Sequence, residues 1–393
     1  MPDRPRQLRR RVPATAGLRK GVTAVVVLGA ALTVAGPPPA YAARPGGSAD
    51  VLRQGLDRLV HDDRYPAALA ATLGPDGRAR HYTAGVADLR TGAKVPADGQ
   101  VRAGSNTKAF TATVVLQLVG EGKVALDAPV ERYLPGLVRG EGIDGRRITV
   151  RQLLQHTSGL PDYTDHLTDL TGKGRHTYVP PRTALDLALA HKARFAPGTG
   201  WAYSSTNYLL AGLLIEKVTG RPLAEEITHR VIEPAGLRHT YFPAAGDERI
   251  REAHPDGYVA AKPGGPLENI TEMDPSWGWA AGQLISTPGD LNRFFTALLD
   301  GRLLKPAQLA QMRTTVPADA MWPGARYGLG LVSVPLSCGG RMWGHGGDIP
   351  GYQTRTGVTD GGRAVTVAVT AVGAPSERGP ADVRGVIDSA LCR

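Results

Sequence analysis

Strand-like runs stand near both ends of this 393-residue chain, and the stretch between them reads as helix. That order constrains the fold more than any other feature. Strands far apart in sequence must pair to bury their apolar faces, so the helical middle is an insertion into one sheet-bearing domain. Residues 49–61 form an amphipathic helix with Val51, Leu52, Leu56, Leu59 and Val60 apolar. Strands over 67–73 and 80–87 follow, joined by the turn signal Gly74-Pro75-Asp76-Gly77. A helix opens near Ser105 and runs through Phe110, Val114 and Leu118 to Gly120. Helical patterns dominate from about 124 to 275, including 207–219, which Gly220 and Pro222 stop. Another helix spans 290–299, with Ser286 or Thr287 as cap, Pro288 at its start and Gly301 beyond its end. Strands return over 327–334, 341–344, 352–358 and 363–372, and a closing helix covers about 380–391. The expected class is α/β (α+β): one discontinuous α/β part, about 48–123 and 276–393, around a mostly helical part at 124–275.

The formal charge of +10 invites a nucleic-acid function, and the first forty residues dispose of it. Arg4, Arg6, Arg9, Arg10, Arg11, Arg19 and Lys20 precede an apolar run over 21–36, and Ala40-Tyr41-Ala42 follows three prolines. A basic start, a short apolar middle and a small-x-small ending describe a signal peptide over 1–42. The apolar run is short for a membrane span. Its removal takes away seven basic side chains and one acid, leaving the domain 43–393 near +4. Nucleic-acid binding loses its basis. The expectation is a secreted protein, free of the membrane once the leader is gone, and a monomer. In an exported chain Cys338 and Cys392 are expected to form a disulfide.

Three short motifs carry chemistry. In Ser105-Asn106-Thr107-Lys108 the helical spacing brings the Lys108 ammonium to the Ser105 hydroxyl, and a desolvated lysine can take a serine proton. The helix N-terminus adds N–H groups where an oxyanion would form. In Tyr203-Ser204-Ser205 the tyrosine is a candidate phenolate base or proton shuttle. In Trp343-Gly344-His345-Gly346-Gly347 the glycines let a strand edge approach a ligand backbone, with His345 as a donor beside it.

In this order and at these separations, the motifs resemble the serine β-lactamase and penicillin-binding-protein superfamily. Within it they resemble the branch of class C β-lactamases, D-alanyl-D-alanine carboxypeptidases and related esterases. The stretch Gln152-Leu153-Leu154-Gln155-His156-Thr157-Ser158-Gly159-Leu160-Pro161-Asp162-Tyr163 supports the likeness, as do 208–220 and 281–291. Tyr327-Gly328-Leu329-Gly330-Leu331 and Leu336-Ser337-Cys338-Gly339 look most like the secreted carboxypeptidases. The resemblance implies an antiparallel sheet flanked by helices with an all-α insertion, and an acyl-enzyme formed on Ser105. It implies that Lys108 and Tyr203 share the proton traffic, and that the backbone N–H groups of Ser105 and Asp348 hold the oxyanion. His345 would take the place of a motif cation and polarise the Tyr203 hydroxyl. Ser205, Trp277, Gly346 and Gly347 would contact substrate, whereas His156 and Asp162 would be structural.

Two departures from the family pattern bear on specificity. Ser205 stands where relatives usually carry Asn. Gly346, Asp348 and Val332 stand where carboxypeptidase relatives hold the substrate carboxylate with hydroxyls and an Arg. An Asp repels a carboxylate, and Arg355 is a candidate cation in its place. The expected function is a D-alanyl-D-alanine carboxypeptidase, D-peptidase or β-lactamase-like serine hydrolase, taking D-amino-acid peptides or β-lactams. The alternatives are an esterase or amidase on small acyl substrates, and a catalytically weak binding protein. No cofactor is expected, and no metal, since no His-Glu-x-x-His motif occurs.

Overall fold

The Gly74–Gly77 turn closes a hairpin, with Gly77 in the left-handed region (φ 74°) that its position demands. The computed structural model describes residues 47–372 and 383–393, and the leader expected over 1–42 lies outside them. Ten strands build the main sheet. The N-terminal end supplies β1 (Ala67–Leu73), β2 (Ala79–Asp88) and β3 (Ala93–Lys94). The C-terminal part supplies β4 (Val316–Pro317), β5 (Arg326–Tyr327), β6 (Val332–Pro335), β7 (Arg341–Gly344), β8 (Gly346–Ile349), β9 (Tyr352–Thr359) and β10 (Ala364–Val369). The order is β4-β5-β6-β7-β9-β10-β1-β2-β3, with β8 also pairing with β9, and every pairing is antiparallel. The two ends of the chain therefore meet at the β1–β10 seam, from Ala68 opposite Val369 to Leu73 opposite Ala364.

Five helices matter for the site: α1 (Ser48–His61), α2 (Thr107–Gly120), α3 (Ser205–Thr219), α4 (Pro288–Leu299) and α5 (Val383–Leu391). Val365, Val367 and Val369 pack with Leu52 and Leu56 of α1 and Ile387 and Leu391 of α5 on one face of the sheet. On the other face Asn292 of α4 donates to the Ala71 carbonyl (2.8 Å) and accepts from Thr366 Oγ1 (2.8 Å). Both faces being covered, β1 and β10 are buried along most of their length instead of alternating. The largest core cluster joins α2, α3 and α4, where the Phe110 and Phe294 rings stack at 3.7 Å. Helix α2 is nearly all buried, which is why it is apolar all round. Of the two caps proposed for α4, Thr287 accepts the Asp290 N–H.

Two expected elements differ from what forms. The single strand over 327–334 divides into β5 and β6, because Gly328–Leu331 folds into a tight loop with the Gly328 N–H on the Leu331 carbonyl (2.8 Å). Gly330 has φ +80°, and a Cβ there would meet Ala112 Cβ at 2.5 Å and the Lys108 carbonyl at 3.2 Å. The loop thus braces α2 where the motif lysine leaves it. Within the mostly helical stretch, Tyr258–Ala260 and Leu267–Asn269 form a hairpin whose first strand pairs in parallel with Ala371–Val372. The strand pattern thus resumes before residue 276.

Cys338, in the turn after β6, and Cys392, past the end of α5, form a disulfide across 54 residues of sequence. Closing a loop of that size stabilises by up to about 4 kcal/mol in the chain-entropy model. We expect the Cys338→Ser/Cys392→Ser double variant to lose about 2–4 kcal/mol. Urea unfolding measures this, and an unchanged midpoint would refute the assignment of that energy to the bridge.

Candidate active site

Gly104 (φ +53°) turns the chain from the short strand Val101–Arg102 into the single 3₁₀ turn Gly104–Asn106 that opens α2. Ser105 sits in this turn, where backbone N–H groups have no partner within the helix. One helical turn on, Lys108 Nζ lies 3.0 Å from Ser105 Oγ, 2.9 Å from the Ala281 carbonyl and 3.4 Å from Ser205 Oγ. The lysine is 1% exposed. Burial brings its pKa down from 10.5 to about 7, and the negative charge of Asp162 opposes that shift. In the neutral amine two N–H bonds satisfy Ala281 and Ser205, leaving the lone pair to face the Ser105 hydroxyl.

Tyr203 lies two residues before α3 and is held there by its neighbours, for the Ser204 N–H donates to His156 Nδ1 (3.2 Å) and Ser204 Oγ to the Pro161 carbonyl (3.0 Å). Its hydroxyl faces Ser105, whose side chain opposes the upward pull of burial on the phenol. Burial pushes the phenol well above its ordinary range, so at neutral pH it keeps its proton. Of the two roles the sequence allowed, the environment supports the shuttle and not the phenolate.

His345 lies where β7 passes into β8 in one register against β9. The Thr356 N–H bonds the His345 carbonyl, so residues 345 and 347 face β9 while the backbone groups of 346 and 348 face outward. Strand β6 pairs only as far as Gly344, leaving that outer edge open beside Ser105. The glycines make the approach feasible: a Cβ on Gly347 would fall 2.0 Å from the Ala103 carbonyl oxygen. A Cβ on Gly104 would come within 3.1 Å of the Asp348 nitrogen, which places that N–H at the turn that holds Ser105. His345, expected in the place of a motif cation, lies in this wall as an uncharged ring. Burial depresses its pKa to about 3, and its nitrogens are taken up by Tyr327 Oη (3.0 Å) and the Gly346 carbonyl (2.5 Å). A neutral imidazole forms this wall.

These groups open into a cavity of about 670 Å³ lined by Ser105, Lys108, Tyr203, Ser205, His345, Gly346 and Asp348. Trp277 lines it too, and its carbonyl accepts the Tyr163 hydroxyl at 2.5 Å. Gly347 does not line the cavity; its place is the close packing on Ala103. Arg355 reaches the cavity but forms an ion pair with Asp348 at 3.0 Å, so each cancels the other's charge. The residue that sequence reasoning set aside is Asp162. It is 6% exposed, accepts the Thr164 N–H (3.1 Å) and lines the cavity. Among the described residues it has no ion-pair partner. An acid placed between a proline and an aromatic in the 152–163 stretch was the available signal.

The Beta-lactamase family profile matches residues 52–390. The chain belongs to that family. It is a serine hydrolase of the β-lactamase and penicillin-binding-protein superfamily, with the mixed fold that the resemblance implied. It is 39% identical to a D-stereospecific amidohydrolase from Streptomyces sp., with a TM-score of 0.80 over 87% of this chain and 98% of that one. It is 28% identical over 268 residues to a penicillin-binding protein of Bacillus subtilis (strain 168), covering 67% of this chain and 60% of that one. It is 34% identical over 212 residues to Esterase EstB of Burkholderia gladioli, covering 51% and 53%. The chain thus spans between a half and two thirds of these two curated relatives' own length. Among the described residues no helix is long and apolar enough to cross a membrane.

Proposed function

We propose that this chain is an exported amidohydrolase that cleaves small D-configured aminoacyl amides and peptides bearing a free α-amine, through an acyl-enzyme on Ser105. The observation that carries the reading is the charge inside the cavity. Asp162 offers an unpaired carboxylate, while Arg355 is neutralised by Asp348 and Arg194 is paired with Asp165. Such a lining suits an ammonium better than the terminal carboxylate of a carboxypeptidase substrate. The D preference is supported by the likeness to the D-stereospecific amidohydrolase from Streptomyces sp..

Ser105 Oγ attacks the amide carbon as its proton passes to Lys108, directly or through the Tyr203 hydroxyl. The oxyanion meets the N–H groups of Ser105 and Asp348. The proton then goes to the departing amine, the C–N bond breaks, and the acyl group remains as an ester on Ser105. Water activated by the same pair hydrolyses that ester, releases the acid and restores the serine. The likeness to an esterase supports a second reading, because an ester enters by the same attack with an easier leaving group.

The test compares D-phenylalanine amide, its N-acetyl derivative, the L-amide, a D-alanyl-D-alanine peptide and a nitrophenyl ester. The expected result is a kcat/KM at least about tenfold higher for the free amine than for the acetylated amide, with Asp162→Asn erasing that ratio. Equal rates with and without acetylation would overturn the amine reading. Turnover of the ester alone would leave an esterase.

A further inference from the structure

Behind the cavity wall the hydrogen bonds run in one direction. The Ser204 N–H and the Asn207 side-chain amide both point at His156 Nδ1, at 3.2 and 3.0 Å. A backbone N–H only donates, so Nδ1 accepts and the neutral ring carries its hydrogen on Nε2. That Nε2 lies 3.2 Å from Tyr327 Oη, which therefore accepts from His156 and keeps its own hydrogen to give.

Two acceptors compete for it. One is the Tyr208 hydroxyl, which itself donates to the Leu154 carbonyl (2.8 Å). The other is His345 Nε2 at 3.0 Å. At His345 the opposite nitrogen, Nδ1, faces the Gly346 carbonyl oxygen at 2.5 Å. A carbonyl cannot donate, so Nδ1 holds the hydrogen and Nε2 presents a lone pair. An imidazole lone pair is a better acceptor than a phenol oxygen, and it would otherwise be buried unpaired. His156 and Tyr327 are 0% exposed and His345 3%, which leaves no solvent to substitute. Lys108 of α2 and Arg355 of β9 face the same ring and oppose a second proton on it.

We propose that Tyr327, held by His156, is a positioning residue that fixes His345 in its Nδ1–H form and thereby clamps the Gly346 carbonyl. The clamp sets the edge strand β8, which carries the Asp348 N–H towards the oxyanion. The proposal rests on the acyl-enzyme reading above for its effect on rate, but not for its effect on the ring.

Nitrogen NMR of ¹⁵N-histidine protein, with His345 assigned by loss of its signals in His345→Gln, tests the ring directly. Between pH 5.5 and 8 the expected spectrum shows a protonated Nδ1 and a bare Nε2. Tyr327→Phe removes the hydrogen bond that favours the neutral ring, so the His345 titration is expected to move to higher pH. On the amide substrate this variant should lose about tenfold in kcat with KM little changed, because Tyr327 touches no substrate. Adding His156→Phe should cost little more, since both act through one chain. A protonated Nε2 in the wild type, an unmoved titration, a loss confined to KM or strictly additive losses would each overturn the proposal. If Tyr327→Phe does not fold, the wild-type spectrum alone decides. A wild-type protein that turns over no amide would sink the functional reading and leave the spectrum to judge this one.

Discussion

Ser105→Ala is expected to abolish covalent labelling by a fluorescent penicillin or an activated ester and to cut turnover by roughly four orders of magnitude or more. The reason is local. Ser105 Oγ lies 3.0 Å from the Lys108 amine and is faced by the Tyr203 hydroxyl. Ser205 Oγ, a second hydroxyl in the cavity, lies farther from Lys108 Nζ, at 3.4 Å, and belongs to the start of α3 instead of the turn beside the Asp348 N–H. Folding should survive, because Ser105 is only half-buried and the turn is held by the Thr107 hydroxyl on the Gly104 carbonyl (2.7 Å), not by the serine side chain. Mass spectrometry after incubation with the probe measures the adduct, and thermal unfolding checks the fold. An adduct of unchanged stoichiometry in a folded Ser105→Ala protein would remove Ser105 from the nucleophile's role and the acyl-enzyme reading with it.

How legible this site was in the sequence depended on how local each cause is. The Ser105–Lys108 pair could be read directly, because helical spacing alone sets it. The strands at 67–73, 341–344 and 352–358 were readable because turn residues and apolar runs define them, whereas 327–334 misled. Its Gly-Leu-Gly-Leu pattern resembles a strand with gaps, yet Gly330 is glycine because α2 and Lys108 press against it. That is a tertiary demand which no local window contains. The same holds for charge. His345 reads as a donor from its motif, and burial between Tyr327 and Gly346 is what keeps its ring neutral. Asp162 was set aside for the complementary reason: a short-range capping bond to Thr164 explains one of its oxygens, and the cavity on its other side exists only after α2, α3 and the sheet edge have assembled. Arg355, proposed as a free cation, sits within reach of Asp348 because antiparallel pairing of β8 with β9 brings them together.

Lys108→Met is expected to do two opposite things at once, silencing the enzyme and stabilising the fold. The wild-type rate should rise with pH through about 7, where the buried lysine loses its proton and becomes a base, and fall about tenfold per unit below that. The variant has no base at this position and should lose roughly three orders of magnitude or more in kcat at every pH, with no limb near 7. Stability follows from the same burial. The folded-state pKa lies near 7 against 10.5 for the ordinary side chain, so between these values the unfolded chain holds a proton that the folded chain has released. Stability therefore climbs as pH rises from about 7 towards 10.5, and at or below pH 7 the fold carries the full cost of housing the amine. Methionine fills a similar volume and carries no such cost, although it gives up the bonds to Ala281 and Ser205. The net gain expected at pH 7 is about 1–3 kcal/mol, read as a higher midpoint in urea, and it should shrink as the pH approaches 10. A variant less stable than wild type at pH 7, or a gain that grows with pH, would mean that the lysine is held as a well-compensated cation. Ser105 would then need another group to take its proton.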